Sequence, residues 1–439
     1  MGFSKKYPAY KDSGVAWLGE VPGHWEVKRL KYLLSLLTEK TDRRINPVAL
    51  ENIESWSGRF IATDSEFSGE GVAFIQGDML FGKLRPYLAK VLLADSEGEA
   101  VGDFHVMRPS DDVAPRFVQY QLLNRTFIDI VDGSTFGSKM PRASWEFVGS
   151  MPLTIPPMAE QTAIATFLDH ETAKIDALVA EQQRLIELLQ EKRQAVISHA
   201  VTKGLDPSVS MKDSGVEWLG EVPAHWEVRA LRRVIGSIEQ GWSPACHARE
   251  ADEQEWGVLK AGCLNGGLYR PSENKALPSE LEPQEWYEVR VGDVLMSRAS
   301  GSPELVGSTA LVTTTRARLM LSDKIFRLQL HDAVDSRFFV AALNSRPLRV
   351  QIENALSGGN GMANNLPQSS LLTFVMPVPP LAEQGSIATF LDHETTKLDA
   401  LVTEAHTAIT LLQERRTALI SAAVTGQIDV RGWEGAVPK

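Results

Sequence analysis

Cysteine is scarce. The chain holds two, Cys246 and Cys263, too few for a disulfide framework and in keeping with a reducing cytoplasm. Long apolar runs are missing too, and none approaches the ~18 residues that a membrane span requires. The opening MGFSKKYPAYKDSG lacks the apolar core of a signal peptide. Basic charge is in deficit, with 45 Lys and Arg against 56 Asp and Glu and a net charge of −11. Affinity for DNA draws largely on cations that neutralise phosphates, so tight DNA binding by this chain alone is disfavoured. Base reading with phosphate contacts supplied by partners is not. The 439 residues, 43% hydrophobic and 23% charged, suit a globular chain of two to four domains.

What the chain does contain, it contains twice. KDSGVAWLGEVPGHWEVK at 11–28 returns as KDSGVEWLGEVPAHWEVR at 212–229. PPMAEQTAIATFLDHETAKIDALV at 156–179 returns as PPLAEQGSIATFLDHETTKLDALV at 379–402. Between them, roughly 30–150 and 231–373 share only landmarks: Gly77-Asp78 with Gly292-Asp293, Lys83 with Arg298, Arg116-Phe117 with Arg337-Phe338. A constant frame around divergent inserts is the layout of a device that presents two different reading heads.

Each PP-x-AEQ block opens a long helix, since proline favours a helix start. The spacing predicts helices over 159–201 and 379–425, ending near Gly204 and Gly426. Apolar residues recur at threes and fours: Leu168, Ile175, Leu178, Leu185, Leu189 and Val196, then Leu391, Leu398, Leu401, Leu412 and Leu419. Heptad spacing argues for a coiled-coil seam, with packing of each helix on its neighbouring domain as the plainer reading. Ile175, Leu178, Leu185, Leu189, Leu398, Leu401 and Leu412 are the expected interface. Antiparallel pairing, with Ile175 on Ala408, Leu178 on Ala405 and Leu185 on Leu398, sets large residues against small ones in two of its three layers. It also brings Glu171 near Arg415 and Lys192 near Glu394. A helix of about 40 residues spans roughly 60 Å, enough to act as a ruler.

The inserts read as α/β in the α+β sense. GVAFIQ, GDMLFGKL and DFHVMRP in one, and GVLKAG, GDVLMSRA and KIFRLQL in the other, carry short strand-like runs. Segments 1–158 and 202–378 are the two domains, 159–201 and 379–425 the helices, and 426–439 a tail. Trp17, Trp25, Trp218 and Trp226 in the repeated opening are either a structural plug or an anchor for a partner. GSTFGSK at 133–139 misses the phosphate-loop spacing, and Cys246, His247 and Cys263 lack zinc spacing, so no metal is expected. Asp169, His170, Asp392 and His393 point in different directions on their helices and read as helix-surface or subunit contacts. The polar loops 133–142 and 357–365 and the basic strand ends suit ligand contact. Lys83, Arg85, Lys139, Arg142, Arg298, Lys324, Asn360, Asn364 and Asn365 are the DNA-contact candidates. Arg favours guanine edges and Asn adenine edges, so the two loops would read different bases. No nucleophile–base constellation, dinucleotide fingerprint or methylase motif is present.

The duplicated KDSGVxWLGEVPxHWEV opening and helix starts, together with GDMLFGKLRPYLAK at 77–90, resemble the specificity subunits of type I DNA restriction–modification systems. The resemblance covers nearly the whole chain. It implies two tandem target-recognition domains joined by an antiparallel coiled coil, a pseudo-two-fold internal repeat, and no catalytic residues. It further implies double-stranded DNA and two methyltransferase subunits as partners, these carrying S-adenosylmethionine. Restriction subunits using ATP and Mg join where the system has them; no cofactor sits on this chain and no membrane is involved. A coiled-coil adaptor with protein-binding domains is the other reading of the same pattern.

Overall fold

The computed structural model describes residues 6–43, 45–63, 69–135, 137, 139–356, 364–433 and 435. Contacts divide it into two compact units, 1–183 with 405–439, and 184–404. The division cuts through both long helices, Met158–Lys203 and Leu381–Val424, so each unit owns one domain and half of each helix. Among the described residues no helix is long and apolar enough to cross a membrane.

In the first unit, strands β1 (Leu34–Leu37), β2 (Met79–Gly82), β3 (Val91–Leu93) and β4 (Phe104–Pro109) form an antiparallel sheet in the order β1-β4-β2-β3. In the second, β5 (Ile235–Gln240), β6 (Val294–Ser297), β7 (Thr309–Leu311) and β8 (Ile325–Leu330) repeat it as β5-β8-β6-β7. All four residues of β2 and of β6 are buried, as befits a central strand covered on both faces. Gly77 and Gly292 enter these strands at φ 91° and 96°, where an L side chain would be strained. The aspartate that follows each is clamped from the neighbouring strand. Arg108 donates to both oxygens of Asp78 at 2.8 and 2.7 Å, and Arg327 approaches Asp293 at 3.3 Å. Thus the faint Gly-Asp landmark is a turn plus its cross-strand arginine. The units diverge in their second sheet, four-stranded in the first and three-stranded in the second.

Trp25 and Trp226 are fully buried, each donating its indole N–H to the glutamate of an AEQ block: Glu160 at 3.1 Å and Glu383 at 3.0 Å. The next residue, Gln161 or Gln384, accepts from Ala114 N–H or Asp335 N–H and donates to Pro156 or Pro379. The repeated words are therefore brackets fastening each domain to its helix. Gly426 and Gly204, both at φ +77°, end the helices, and a Cβ would meet Pro22 and Trp25, or Trp226. Arg116 and Arg337 reach Asp169 at 2.6 Å and Asp392 at 3.3 Å, which accounts for the aspartate of FLDHET.

Within each unit the two long helices run antiparallel, but not on the expected seam. Leu178, Leu185 and Leu401 are 51%, 41% and 45% exposed. The inward positions are Leu168, Thr172, Ile175 and Val179 in the first unit and Ile186, Leu189 and Arg193 in the second. On the other helix they are Leu391, Leu398 and Val402, then Ala405, Ile409, Leu412 and Arg416. The first position of each heptad is as expected; its companion lies four residues on instead of three. The register also differs. Asp176 pairs with Arg416 at 3.0 Å and Arg193 with Asp399 at 3.1 Å. Residue 193 lies seventeen after 176 and 399 seventeen before 416, so the two units share one alignment. Ile175 then sits beside Arg416, eight residues from Ala408. Glu171 and Glu394 pair within their own helices, with Lys174 at 3.0 Å and Lys397 at 2.8 Å.

Desolvation makes the Asp176–Arg416 pair the stronger constraint on register, because a charge withdrawn from water and facing the wrong residue has no compensation, whereas Asp399 is exposed. Reversing Asp176 to Arg alone is expected to cost the first unit ~1–3 kcal/mol. Adding Arg416→Asp should restore more than half, the remainder reflecting the lost bond from Arg416 to the Trp56 carbonyl at 2.9 Å and the new arginine facing Arg59, which lies 3.6 Å from Asp176. Denaturant unfolding of the four variants measures this, and a double variant as damaged as the two single changes combined refutes the register.

Candidate nucleic-acid interface

At the end of β2 the backbone makes a three-way junction. Lys83 N–H donates to the Asp103 carbonyl at 2.9 Å, Ala143 N–H to the Lys83 carbonyl at 2.9 Å, and Arg85 N–H to the Pro141 carbonyl at 2.9 Å. The second unit builds the same junction at the end of β6. Arg298 N–H donates to the Lys324 carbonyl and Leu366 N–H to the Arg298 carbonyl, each at 2.8 Å. By these bonds Lys83 is equivalent to Arg298, Asp103 to Lys324, and Arg142 to Asn365. The main chain is shared, while all three side chains differ.

The chemistry of the two junctions differs accordingly. In the first, Asp103 is the hub, with Arg142 at 2.9 Å and Lys83 at 3.9 Å. Arg85 is exposed, in left-handed backbone at φ 51°, and Lys139, three residues before Arg142 in the chain, is exposed too. His105 lies buried beneath, its ring nitrogen 3.0 Å from the Ala143 carbonyl. Burial holds the His105 imidazole below its ordinary pKa, so it is a neutral prop for the junction. In the second, Arg298 is half-buried. Its guanidinium donates to the Asp323 carbonyl at 3.3 Å and to Asn365 Oδ1 at 3.4 Å, and lies 5.6 Å over the Phe326 ring. Asn364 donates to the Gly301 carbonyl at 3.3 Å. Lys324 is exposed and lines a cleft of about 510 Å³ that also receives Lys260 and Lys275. Asn360 lies outside the described residues.

Sequence reasoning named residues of both junctions but neither of the aspartates that hold their basic side chains, Asp103 through its carboxylate and Asp323 through its carbonyl. Asp103 and Asp323 carry no motif, and only the cross-strand bonding reveals them. A cleft of about 810 Å³ in the first unit lies elsewhere, between the loop 54–59 and the long helices. Its arginines are already engaged: Arg59 with Glu54 and Asp176, Arg125 with Asp129 and over Trp56, Arg416 with Asp176. Among the described residues no cluster of three or more His, Cys, Asp or Glu side chains is disposed to hold a metal ion.

No family model matches the chain. The type I restriction enzyme EcoEI specificity subunit of Escherichia coli is 29% identical over 242 residues, 55% of this chain and 40% of that protein. The chain therefore spans less than half the length of that relative. The putative type I restriction enzyme MjaX specificity subunit of Methanocaldococcus jannaschii is 23% identical over 438 residues, 94% of this chain and 96% of that protein. In fold, the chain is similar to one from a structure of the type I R-M system solved to address complex assembly and conformational transition. The TM-score is 0.70 at 17% identity, over 92% of this chain and 98% of that one.

Proposed function

Since the chain belongs to the family of type I restriction–modification specificity subunits, we propose that it reads a split, asymmetric target in double-stranded DNA, one half through each unit. The observation that carries this reading is the pair of junctions. One backbone frame displays Lys83, Asp103 and Arg142 in the first unit and Arg298, Lys324 and Asn365 in the second. A scaffold that fixes geometry while exchanging the reading side chains is what two different half-sites require.

The chain itself is non-catalytic in this reading. Two methyltransferase subunits bring S-adenosylmethionine and methylate adenine N6 at the site it selects, and restriction subunits with ATP and Mg²⁺ add cleavage where they are present. The net charge of −11 fits a division of labour in which partners make most phosphate contacts. Leucines left outside the seam, Leu178 and Leu411 in the first unit and Leu185, Leu188 and Leu401 in the second, offer those partners apolar surface. The work is cytoplasmic, where the DNA is. No observation favours the adaptor reading.

Single-molecule methylation mapping of cells carrying this chain with its methyltransferase tests the proposal. The expected result is one modified motif with two unlike halves separated by unread bases. A contiguous or palindromic motif, or modification independent of this chain, overturns it.

A further inference from the structure

The two FLDHET helix starts are nearly identical in sequence and differ in what covers them. In the first unit Phe167 is fully buried. Trp433 of the C-terminal tail sets its ring edge-on to Phe167, centroids 5.4 Å apart at 84°, and lies 5.1 Å from the His170 ring. Val430 is buried in the same cluster, and Arg431 stacks over Tyr7 at 4.8 Å. In the second unit the equivalent Phe390 is 39% exposed and His393 is exposed. They line an open groove with Ala382, Gly385, Ser386 and Thr389.

Among the described residues none is placed over this groove as Trp433 is over the first. Counting from the glycines that end the long helices, Gly426 and Gly204, Trp433 corresponds to Met211. Met211 is already committed to a ribbon, Met211–Asp213 paired with Glu221–Pro223, and is no aromatic. Gly385 replaces Thr162 of the first helix, and the nearest atom to a Cβ built there is 3.9 Å away. Glycine inside a helix is destabilising by about 1 kcal/mol relative to alanine, and here it widens the groove beside Phe390. The arginine anchor has no counterpart, since Ser208 stands where Tyr7 does in the repeat. What the second face shares with the first is the seat for a ring.

We propose that the Phe390–His393 groove is a docking site for an aromatic side chain, tryptophan above all, presented by a segment of a partner protein. Its ring takes the place that Trp433 fills on Phe167 and His170. Edge-to-face packing on Phe390 and contact with His393 provide the recognition. The proposal goes beyond DNA reading and does not depend on it.

The probe is a synthetic peptide of residues 426–435, GQIDVRGWEG, titrated into the full-length chain by calorimetry up to millimolar concentration. The wild-type chain should bind one equivalent, and Phe390→Ser, a change at an exposed position, should weaken that binding at least tenfold. His393→Ala should weaken it in the same direction. Trp433→Ala should uncover the first seat and raise the stoichiometry to two. Absence of binding, or binding indifferent to Phe390, overturns the proposal. The titration contains no DNA, so its failure leaves the reading of the junctions standing.

Discussion

Trp25→Ala is expected to lower the stability of the first unit by ~3–5 kcal/mol, more than any surface change in the chain. The indole is fully buried, so truncation leaves a large cavity beneath the helix start. It also removes a donor from Glu160, a carboxylate only 6% exposed whose remaining partners are Tyr7 and His24. Burial first, and then the hydrogen bond to Glu160, push the Tyr7 phenol well above its ordinary pKa, so Tyr7 stays a neutral donor at any working pH. The carboxylate therefore keeps two partners, and the cavity dominates the cost. Trp226→Ala opens the same cavity in the second unit, but Glu383 is about 30% exposed and water can replace the lost donor. Its cost should fall at the lower end of that range. Hydrogen exchange resolved by segment separates the units where a single melting curve would merge them. A Trp25→Ala loss under ~1 kcal/mol would mean that the bracket is not what fastens domain to helix.

That bracket shows how legibility varied along the chain. The duplicated words gave the repeat and the helix positions, because recurrence needs no knowledge of packing; the antiparallel direction came with the family resemblance. Their role did not follow, since the tryptophan and the glutamate that receives it are 135 residues apart. The seam was half legible for a specific reason. Each long helix carries two heptad stripes that share Leu168, Ile175 and Leu189, or Leu391, Leu398 and Leu412. In the first helix one stripe is completed by Glu171, Leu178, Leu185 and Lys192, the other by Thr172, Val179, Ile186 and Arg193. Apolar content does not separate the two, and the fold uses the second. Charge decides: only the second lets Arg193 and Arg416 meet Asp399 and Asp176. A hydrophobic pattern cannot show this, because charge interrupts both stripes.

At the junctions the sequence signalled residue type and missed arrangement. Lys83 and Arg298 were visible as basic residues following Gly-Asp strands. That Arg142 and Asn365 stand opposite them depends on bridges between segments some sixty residues apart, Leu84 with Arg142 and Ala299 with Asn365. Asp103 became meaningful only once Arg142 was placed beside it. Position came from topology, and chemistry from the side chain.

Arg298→Ala carries the largest functional effect expected. The Asp323 carbonyl, Asn365 and the Phe326 face hold its guanidinium before any DNA arrives, so little ordering entropy is lost on binding. A guanidinium presented in a fixed plane suits bidentate bonding to guanine O6 and N7, worth ~1–3 kcal/mol of discrimination, or about five- to 150-fold. Methylation mapping of the variant complex should therefore show one position relaxed in the half-site read by the second unit, with the other half unchanged. Arg142→Ala should do the converse. Arg298→Lys should not rescue, since an ammonium keeps the charge and loses the fork. Loss of both halves together would assign Arg298 to general DNA affinity, and an unaltered motif would remove it from the interface.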